Sequence, residues 1–324
     1  MTSFSDASLA DDGSDGAKKK QPRTYLKPST KLRLMSASRL ARMSTPQGRR
    51  LWGELIYDRM IGMVHGPRGG GKTFLMLSLA IAIAAGLKYL GHGPRRECKV
   101  VMLDGEMGFR LMRERVKVVS AALGTKPPSN LLLLNPDLFD GLLPSLATEE
   151  GQAAIEAVIP VNVDLIIVDN FSCWNRGGRE DADGWGIWNS WLLDQKRRGR
   201  TVIVVHHTGK SGDQRGTSKR EDSLDFVIAL KPRVDPERPG DLSFDLEWTK
   251  SRHLTRDAAK PIRAVLHDDE DGMRWTFDRP PSTADRTAMA RQLSAEGIRQ
   301  TDIAKRLGVN RSTISRMLKG AGGK

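Results

Sequence analysis

A glycine-rich run before residue 74 has the composition and spacing of a phosphate cradle. It reads Gly66, Pro67, Arg68, Gly69, Gly70, Gly71, Lys72, Thr73 and fits the pattern G-x-x-x-x-G-K-[ST] at every position. Glycines let successive backbone N–H groups point inward around phosphate oxygens, and a helix that starts at the run adds partial positive charge. The pattern predicts ATP binding, with Lys72 at the β- and γ-phosphates and Thr73 on Mg²⁺. A chance glycine-rich turn is the alternative.

Two acidic residues follow apolar runs further along the chain. Asp169 comes directly after residues 165–168, so it is expected at the carboxyl end of a buried strand, where it could hold Mg²⁺ directly or through a water. Glu106 follows the run 100–103, and a carboxylate at that edge of an open α/β sheet can accept a proton from water near a γ-phosphate. Asp104 is the rival candidate for this proton transfer. An acidic cap for the next helix is the other interpretation of Glu106.

Two histidines, His206 and His207, end the apolar run 202–205. If that strand lies beside the strand of Asp169, a polar side chain at its end can sense the γ-phosphate. Metal binding by the pair is disfavoured, because adjacent residues on a strand point to opposite faces of the sheet.

The elements that must position these residues alternate between strand and helix. Strands are predicted at residues 60–64, 100–103, 131–134, 165–168 and 201–205, with helices at 72–85, 111–123, 152–158 and 184–197. Four further strands follow at residues 226–230, 242–248, 262–266 and 273–277. The alternation predicts an α/β fold with a central, mostly parallel sheet that is wrapped by helices and completed by antiparallel strands.

Basic residues are concentrated at the two ends of the chain. Of the net charge of +13, residues 1–50 contribute +7, residues 279–324 contribute another +7, and residues 51–278 are near neutral. Terminal basic segments favour contact with nucleic acid, while a role in solubility is the alternative. Residues 1–50 are predicted to be a basic, disordered N-terminal arm, although 31–50 could also form a short helix or become ordered on a partner.

Several classes of protein are excluded or disfavoured by composition. No apolar run reaches the ~20 residues of a membrane-spanning helix, and the polar N-terminus does not resemble a secretory signal. Cys98 and Cys173 are too few for a disulfide framework or a zinc cluster. We therefore expect a cytoplasmic, nucleoid-associated protein with no membrane partner.

The C-terminal segment, residues 279–324, predicts a small all-α DNA-binding domain. Residues 279–285 are predicted to be a linker, and helices follow at 288–296, 301–307 and 311–318. The helix-turn-helix that these helices form is similar to the DNA-binding end of serine resolvases and invertases. A bundle used for protein contacts is the alternative. The face suited to a major groove consists of Arg311, Ser312, Thr313, Ser315 and Arg316.

Five segments in a fixed order carry a resemblance to a known family. They are GPRGGGKT, VMLDGEM, LIIVDN, VIVVHHTGKSG and QRGTSKRED. Together they resemble the RepA-like, hexameric branch of RecA-fold ATPases, which is related to DnaB-type replicative helicases. The similarity covers about residues 51–278 and implies a RecA-like P-loop NTPase domain there. In that family Glu106 corresponds to the catalytic glutamate and His207 to the polar sensor.

The resemblance also implies residues that act between subunits of a ring, with a hexamer favoured. Arg215 corresponds to an arginine that reaches into the neighbouring subunit's site, and Lys250 and Arg252 resemble a Lys-x-Arg pair inserted in trans. Such cations would neutralise charge that develops on the transferring phosphoryl group. From the residues alone, solvated surface charges are the alternative.

The function expected from these features is that of a DNA-associated ATP hydrolase, a ring-forming helicase or translocase of mobile-element or phage replication. The resemblance places the loops near residues 208–219 at the ring's channel, where Lys210, Lys219 and Arg220 are candidate contacts for a single strand. The alternative is an ATP-switched, site-specific DNA-binding initiator or regulator without unwinding activity. A small-molecule kinase shares the glycine-rich motif but is disfavoured by the DNA-binding segment.

Overall fold

The computed structural model describes residues 34–43, 48–178, 182–207, 222–233, 240–255, 257–270, 272–279, 283–307 and 309–319. The chain divides into two units, Met1–Gln47 and Gly48–Lys324. The first contains a short helix, α1 (Ala37–Arg42), which begins after Ser36 because the Ser36 side chain accepts a hydrogen bond from the backbone N–H of Arg39. The short helix that was one of three alternatives for residues 31–50 is therefore present at Ala37–Arg42, and it buries none of its side chains.

The second unit is a large sheet with helices on both faces, followed by three C-terminal helices. The strands are β1 (Arg50–Trp52), β2 (Ile56–Tyr57), β3 (Ile61–Gly66), β4 (Val100–Asp104), β5 (Leu131–Leu134), β6 (Leu165–Asp169), β7 (Thr201–His207), β8 (Phe226–Arg233), β9 (Leu242–Ser251), β10 (Ile262–Asp269) and β11 (Gly272–Asp278). The helices are α2 (Lys72–Ala84), α3 (Phe109–Ala122), α4 (Glu149–Val158), α5 (Phe171–Trp174), α6 (Ala182–Arg197), α7 (Thr283–Ala295), α8 (Gln300–Leu307) and α9 (Arg311–Lys319), with a 3-10 turn at Pro136–Leu138.

The main sheet has the strand order β11-β10-β9-β8-β3-β7-β6-β4-β5. Strands β8, β3, β7, β6, β4 and β5 run parallel, whereas β9, β10 and β11 are joined to β8 by antiparallel pairing. This is the predicted mostly parallel sheet with antiparallel strands at one side. Since β7 lies between β3 and β6, the end of the His207 strand is adjacent to the ends of both the glycine-loop strand and the Asp169 strand.

Two apolar layers hold the helices on the sheet. Helix α2 is buried along nearly its whole length, and together with α3 it packs on one face. On the other face, α4, α5 and α6 form a second layer that contains three tryptophans of α6, of which Trp188 is 0% exposed. Continuously apolar strands are typical of a parallel sheet covered on both sides. The buried layers fix where the carboxyl ends of the strands, and the loops beyond them, are placed.

Some sequence predictions need correction. The linker predicted at residues 279–285 is shorter, because α7 begins at Thr283. Helix α7 ends at Ala295, two residues before Gly297, whose φ of 82° suits glycine, and the N–H of Ile298 donates to the carbonyl of Leu293. The β1–β2 pair and the four-residue α5 were not predicted, since segments this short carry no clear periodicity. No helix in the described ranges is long and apolar enough to cross a membrane.

Candidate functional site

The glycine loop joins β3 to α2 at the carboxyl edge of the sheet. Gly71 is the residue before α2 and has a φ of 81°, a conformation that favours glycine. A Cβ at Gly71 would also lie 2.6 Å from Cδ2 of Leu242, on β9. At Gly66 a Cβ would lie 2.9 Å from the carbonyl oxygen of Leu230. The loop is therefore glycine-rich both for its backbone angles and because β8 and β9 pack against it.

Lys72 is the first residue of α2, and its side chain lies within the loop. It is 4% exposed, and its Nζ donates to the carbonyl oxygens of Gly66 at 2.9 Å and Pro67 at 2.6 Å. Burial lowers the pKa of Lys72 to about 8, against the opposing effect of Asp169 and Glu106. The ammonium is thus held among carbonyl groups, which are neutral partners that an anion could displace.

Asp169 ends β6 and faces the first turn of α2. Asp169 is 5% exposed and lies close to the side chain of Thr73, while its Oδ2 is buried without a hydrogen-bond partner among the described residues. Burial raises the pKa of Asp169 to about 6, with smaller contributions of the same sign from Asp104 and Glu106. A buried, unpaired carboxylate oxygen beside a hydroxyl is a donor set suited to a hard cation.

The two rival carboxylates after β4 occupy different environments. Asp104 is 2% exposed, accepts hydrogen bonds from the backbone N–H of Glu106 and Met107 at 3.3 Å each, and accepts another from Asn135 at 2.9 Å. Its pKa is raised, mainly by burial. Asp104 therefore shapes the turn, whereas the Glu106 side chain is 68% exposed at the edge.

Glu106 is not the acidic cap of the following helix. Helix α3 begins at Phe109, and the acceptor for the Phe109 N–H is the carboxylate of Asp137, at 2.7 Å. The capping interpretation of Glu106 is therefore wrong, which leaves its carboxylate available for chemistry.

His207 and Asn170 complete this edge. In the pairing of β3 with β7, His207 lies opposite Gly66, and its Nε2 is 3.8 Å from Oε2 of Glu106. The Asn170 Nδ2 lies 2.7 Å from the same oxygen of Glu106 and 3.1 Å from Nε2 of His207. The pKa of His207 is lowered by burial and by Lys72. Sequence reasoning missed Asn170, although a polar residue directly after Asp169 at a carboxyl strand end was a signal.

Lys250 and Arg252 lie at the opposite edge of the sheet. Phe226 pairs with Gly62 on one side and with Ser251 on the other, so the end of β9 is level with the start of β3. The four residue-to-residue steps from Gly62 to Gly66 correspond to ~13 Å along a strand. These two cations are therefore separated from the glycine loop of their own chain. Arg252 instead binds the carbonyl of Asp222 and lies 3.9 Å from Asp225.

Four sequence-predicted contacts cannot be placed. Arg215, Lys210, Lys219 and Arg220 lie outside the described residues.

The C-terminal helices form a compact three-helix unit. Its core consists of Ala290, Ile303, Ala304 and Ile314, which are at most 6% exposed. On α9, Arg311, Ser312 and Arg316 are exposed, while Thr313 and Ser315 are half-buried. Thr313 lines an open cavity of about 500 Å³ whose walls also include Arg233, Lys305 and Asn310. The predicted basic face is thus present, with two of its five members less accessible than the helical pattern suggested.

Comparison with protein families gives two matches. Residues 27–213, more than half of the chain, match the model of an AAA domain. This chain belongs to the AAA domain family. A separate model, that of a homeodomain-like domain, matches residues 280–323 and agrees with the helix-turn-helix seen in α7 to α9. The AAA match includes the glycine loop, Glu106, Asp169 and His207, so the site lies within the family's domain.

Among solved structures, the crystal structure of the RadB recombinase is similar to this chain. The sequence identity is 18% and the TM-score is 0.45, and the match covers 67% of this chain and 90% of the RadB chain. A comparison with curated proteins found no match.

Proposed function

We propose that the chain is a DNA-associated ATPase that hydrolyses ATP at residues 66–73 and works as a ring-forming translocase or helicase in the replication of a mobile element or phage. One observation carries the ATPase part of the proposal. Three different strands or their loops contribute the side chains of the site, and the fold brings these side chains together at one edge of the sheet. They are Lys72, Thr73, Asp169 and Glu106.

Magnesium fits the residues of this edge. Thr73 and Asp169 lie close together, and Oδ2 of Asp169 is buried without a partner in the described part of the chain. The described residues hold no group of three or more His, Cys, Asp or Glu side chains arranged for a metal. An ion held by Thr73 and Asp169 would therefore complete its shell with water and phosphate oxygens, as Mg²⁺ commonly does. When bound, it would neutralise charge on the β- and γ-phosphates.

The protein side chains have separate roles in this scheme. Lys72 exchanges its carbonyl partners for phosphate oxygens, and its positive charge stabilises the transferred phosphoryl group. Glu106 accepts a proton from the attacking water, for which an accessible carboxylate at the mouth of the site is suited. His207, opposite Gly66, contacts the γ-phosphate side and reports whether that phosphate is present.

Subunit contacts supply the remaining cations. Lys250 and Arg252 cannot reach the glycine loop of their own chain, because they lie at the other edge of the sheet. In a ring, preferably a hexamer, the edge that carries them would face the glycine loop of the next copy. Arg215, outside the described residues, is proposed to act in the same way. Hydrolysis would then depend on assembly.

Mixing inactive variants tests the trans arrangement. Lys72→Ala removes the phosphate lysine and Arg252→Ala removes a trans cation, so each variant alone should have little turnover. If the site is shared, mixed rings contain some interfaces with an intact Lys72 on one side and an intact Arg252 on the other. We expect mixing to restore part of the turnover. A mixture no more active than its components would contradict the trans role.

DNA contact is proposed through two surfaces. Helix α9 presents Arg311 and Arg316, with Ser312 between them, in a segment that carries +7 in sequence. Basic side chains on such a helix contact phosphates and base edges in a major groove. A single strand in the ring channel, contacted by Lys210, Lys219 and Arg220, remains a proposal from the family resemblance.

The test of the ATPase proposal is turnover with and without Mg²⁺. Wild type should hydrolyse ATP only with Mg²⁺, and Lys72→Ala should lose nearly all of that turnover. Lys126→Ala, an exposed lysine remote from the loop, is the matched control and should behave as wild type. Turnover that survives Lys72→Ala would contradict the proposal.

The second candidate is an ATP-switched initiator or regulator that binds a particular duplex. The observation that favours it is the helix-turn-helix unit itself, because a translocating ring needs no sequence-reading helix. It predicts tight binding to one duplex sequence, with slow turnover that single strands do not change.

A further inference from the structure

The side chain of Asn170 contacts three residues at the nucleotide edge, which is the name used here for the glycine loop and the carboxyl ends of β3, β4, β6 and β7. It is 2% exposed, and its Oδ1 accepts a hydrogen bond from the backbone N–H of Cys173 at 3.2 Å, which caps the short helix α5. With the oxygen committed to the cap, the amide nitrogen points into the site. There Nδ2 lies 2.7 Å from Oε2 of Glu106 and 3.1 Å from Nε2 of His207.

The chemistry of the amide suits this double contact. Nδ2 carries two hydrogens and no lone pair for acceptance, so it can donate to the carboxylate and to the imidazole nitrogen at the same time. Both acceptors sit on neighbouring strand ends, Glu106 after β4 and His207 at the end of β7. Asn170, after β6, is the group between them in the sheet order.

Glu106 depends on this contact for its position. Its side chain is two-thirds exposed, and among the described residues Asn170 is the donor at hydrogen-bond distance from its carboxylate. An exposed glutamate otherwise samples many rotamers, and confining it costs conformational entropy. Because a displacement of ~1 Å in a reacting group can cost about 10²-fold in rate, a fixed donor matters for a base.

We propose that Asn170 is a positioning residue, which holds the Glu106 carboxylate in place to take the proton from water and joins it to His207. The inference rests on the proposed ATPase function and the role of Glu106 in it. A change at His207 on contact with the γ-phosphate would then be passed to Glu106 through one amide group.

A purely structural role for Asn170, as the cap of α5, is separable from the proposed one. Asn170→Ser keeps an oxygen that can cap the helix, removes the amide donor and leaves the charge unchanged. Asn170→Ala removes both the cap and the donor. A capping role predicts that only the alanine variant is impaired, whereas the positioning role predicts that both are.

The experiment measures kcat, the Kd of a fluorescent ATP analogue with Mg²⁺, and Tm for wild type and both variants. For Asn170→Ser we expect kcat to fall by roughly 10- to 100-fold, as for a misplaced reacting group. Its nucleotide Kd should stay within about threefold of wild type, well short of the tenfold that one strong interaction represents, with Tm unchanged. Wild-type kcat in Asn170→Ser, or a fall in kcat matched by weaker nucleotide binding, would overturn the inference.

A double-mutant cycle shows whether Asn170 acts through Glu106. If it does, adding Asn170→Ser to Glu106→Gln should not lower the residual single-turnover rate further, since the group it positions is already gone. Independent, multiplicative losses would overturn the inference. If Glu106→Gln abolishes turnover but Asn170→Ser does not, this inference alone fails. If wild type shows no Mg²⁺-dependent turnover, both this inference and the proposed function fail.

Discussion

The nucleotide edge and helix α9 are both rich in charge, but they hold it in opposite ways. At the edge, Lys72 and Asp169 are buried in the main core, and burial moves the pKa of each toward neutrality, to about 8 and about 6. On α9, Arg311 and Arg316 are exposed above a small core that has four buried side chains among the described residues. Polar groups that are desolvated in advance suit catalysis on a small anion, whereas exposed arginines suit attraction to a polyanion.

The largest expected effect is the loss of kcat when Glu106 is replaced. Replacing its carboxylate by an amide in Glu106→Gln removes a general base while keeping the shape, so kcat should fall by ~10²- to 10⁴-fold. Nucleotide binding should persist, because Lys72 and the loop are unchanged. Single-turnover hydrolysis and a nucleotide titration measure the two quantities. Asp104→Asn, in the turn beneath, is informative as the rival: a larger kcat loss there with intact folding would reverse the assignment.

The second effect concerns the small core beneath α9. Ile314 is 0% exposed, and Ile314→Ala should destabilise the helix-turn-helix by about 2–5 kcal/mol. A three-helix unit of this size has little stability to spare. Hydrogen exchange should therefore show lost protection over residues 283–319, with protection retained in β3 and β6. Met289→Ala, 47% exposed on α7, is the matched control. Loss of protection in β3 as well would mean that the two regions fold as one unit.

A smaller effect is expected from a single exposed arginine of α9. Arg316→Ala should weaken binding to a random-sequence duplex a few-fold and reduce the slope of log K against log salt by ~0.9, the value of one phosphate contact. Fluorescence anisotropy at several salt concentrations measures both. Arg291→Ala, an exposed arginine of α7, is the control. Equal losses in the two variants would show that general charge, and not the α9 face, binds DNA.

The smallest expected effect is a pH dependence of the folding stability, caused by His65 at the nucleotide edge. Burial, with help from Lys72 and Lys231, lowers the pKa of His65 from 6.5 to about 4. Between these values the unfolded chain binds a proton that the folded chain does not. Stability from neutral His65 is thus fully present above pH 6.5 and is lost as the pH falls toward 4. In His65→Gln, Tm should fall less steeply over this window than in wild type. Parallel Tm curves for the two proteins would contradict the prediction.

The parallel sheet could be predicted from the sequence because continuous apolar runs of strand length, separated by helical periodicity, leave few alternatives. The strand ends of Asp169 and His207 followed from the same pattern. What could not be predicted was mainly side-chain geometry. Three features depend on contacts between distant segments: the hydrogen bond from Asn135 to Asp104, the capping role of Asp137 and the bridging amide of Asn170. Periodicity within one segment carries no information about them.

The placement of Lys250 and Arg252 shows the same limit. The resemblance marked both as trans residues, but only the pairing of β8 with β9 shows that they lie at the edge opposite the glycine loop. The partial burial of Thr313 on α9 was also missed; this side chain lines a cavity whose walls include Arg233, a residue of β8. The domain boundaries at residues 50 and 278 stay predictions.

The coupling of hydrolysis to DNA is tested most directly by ATP turnover measured without DNA, with a generic single strand and with a random duplex. If the hydrolytic site is coupled to DNA, Mg²⁺-dependent turnover should rise several-fold or more with single strands, equivalent to about 1 kcal/mol or more in the barrier. Lys72→Ala should show no turnover under any of the three conditions. Turnover that depends on Lys72 but is indifferent to single strands would contradict the translocase proposal and favour the ATP-switched duplex binder.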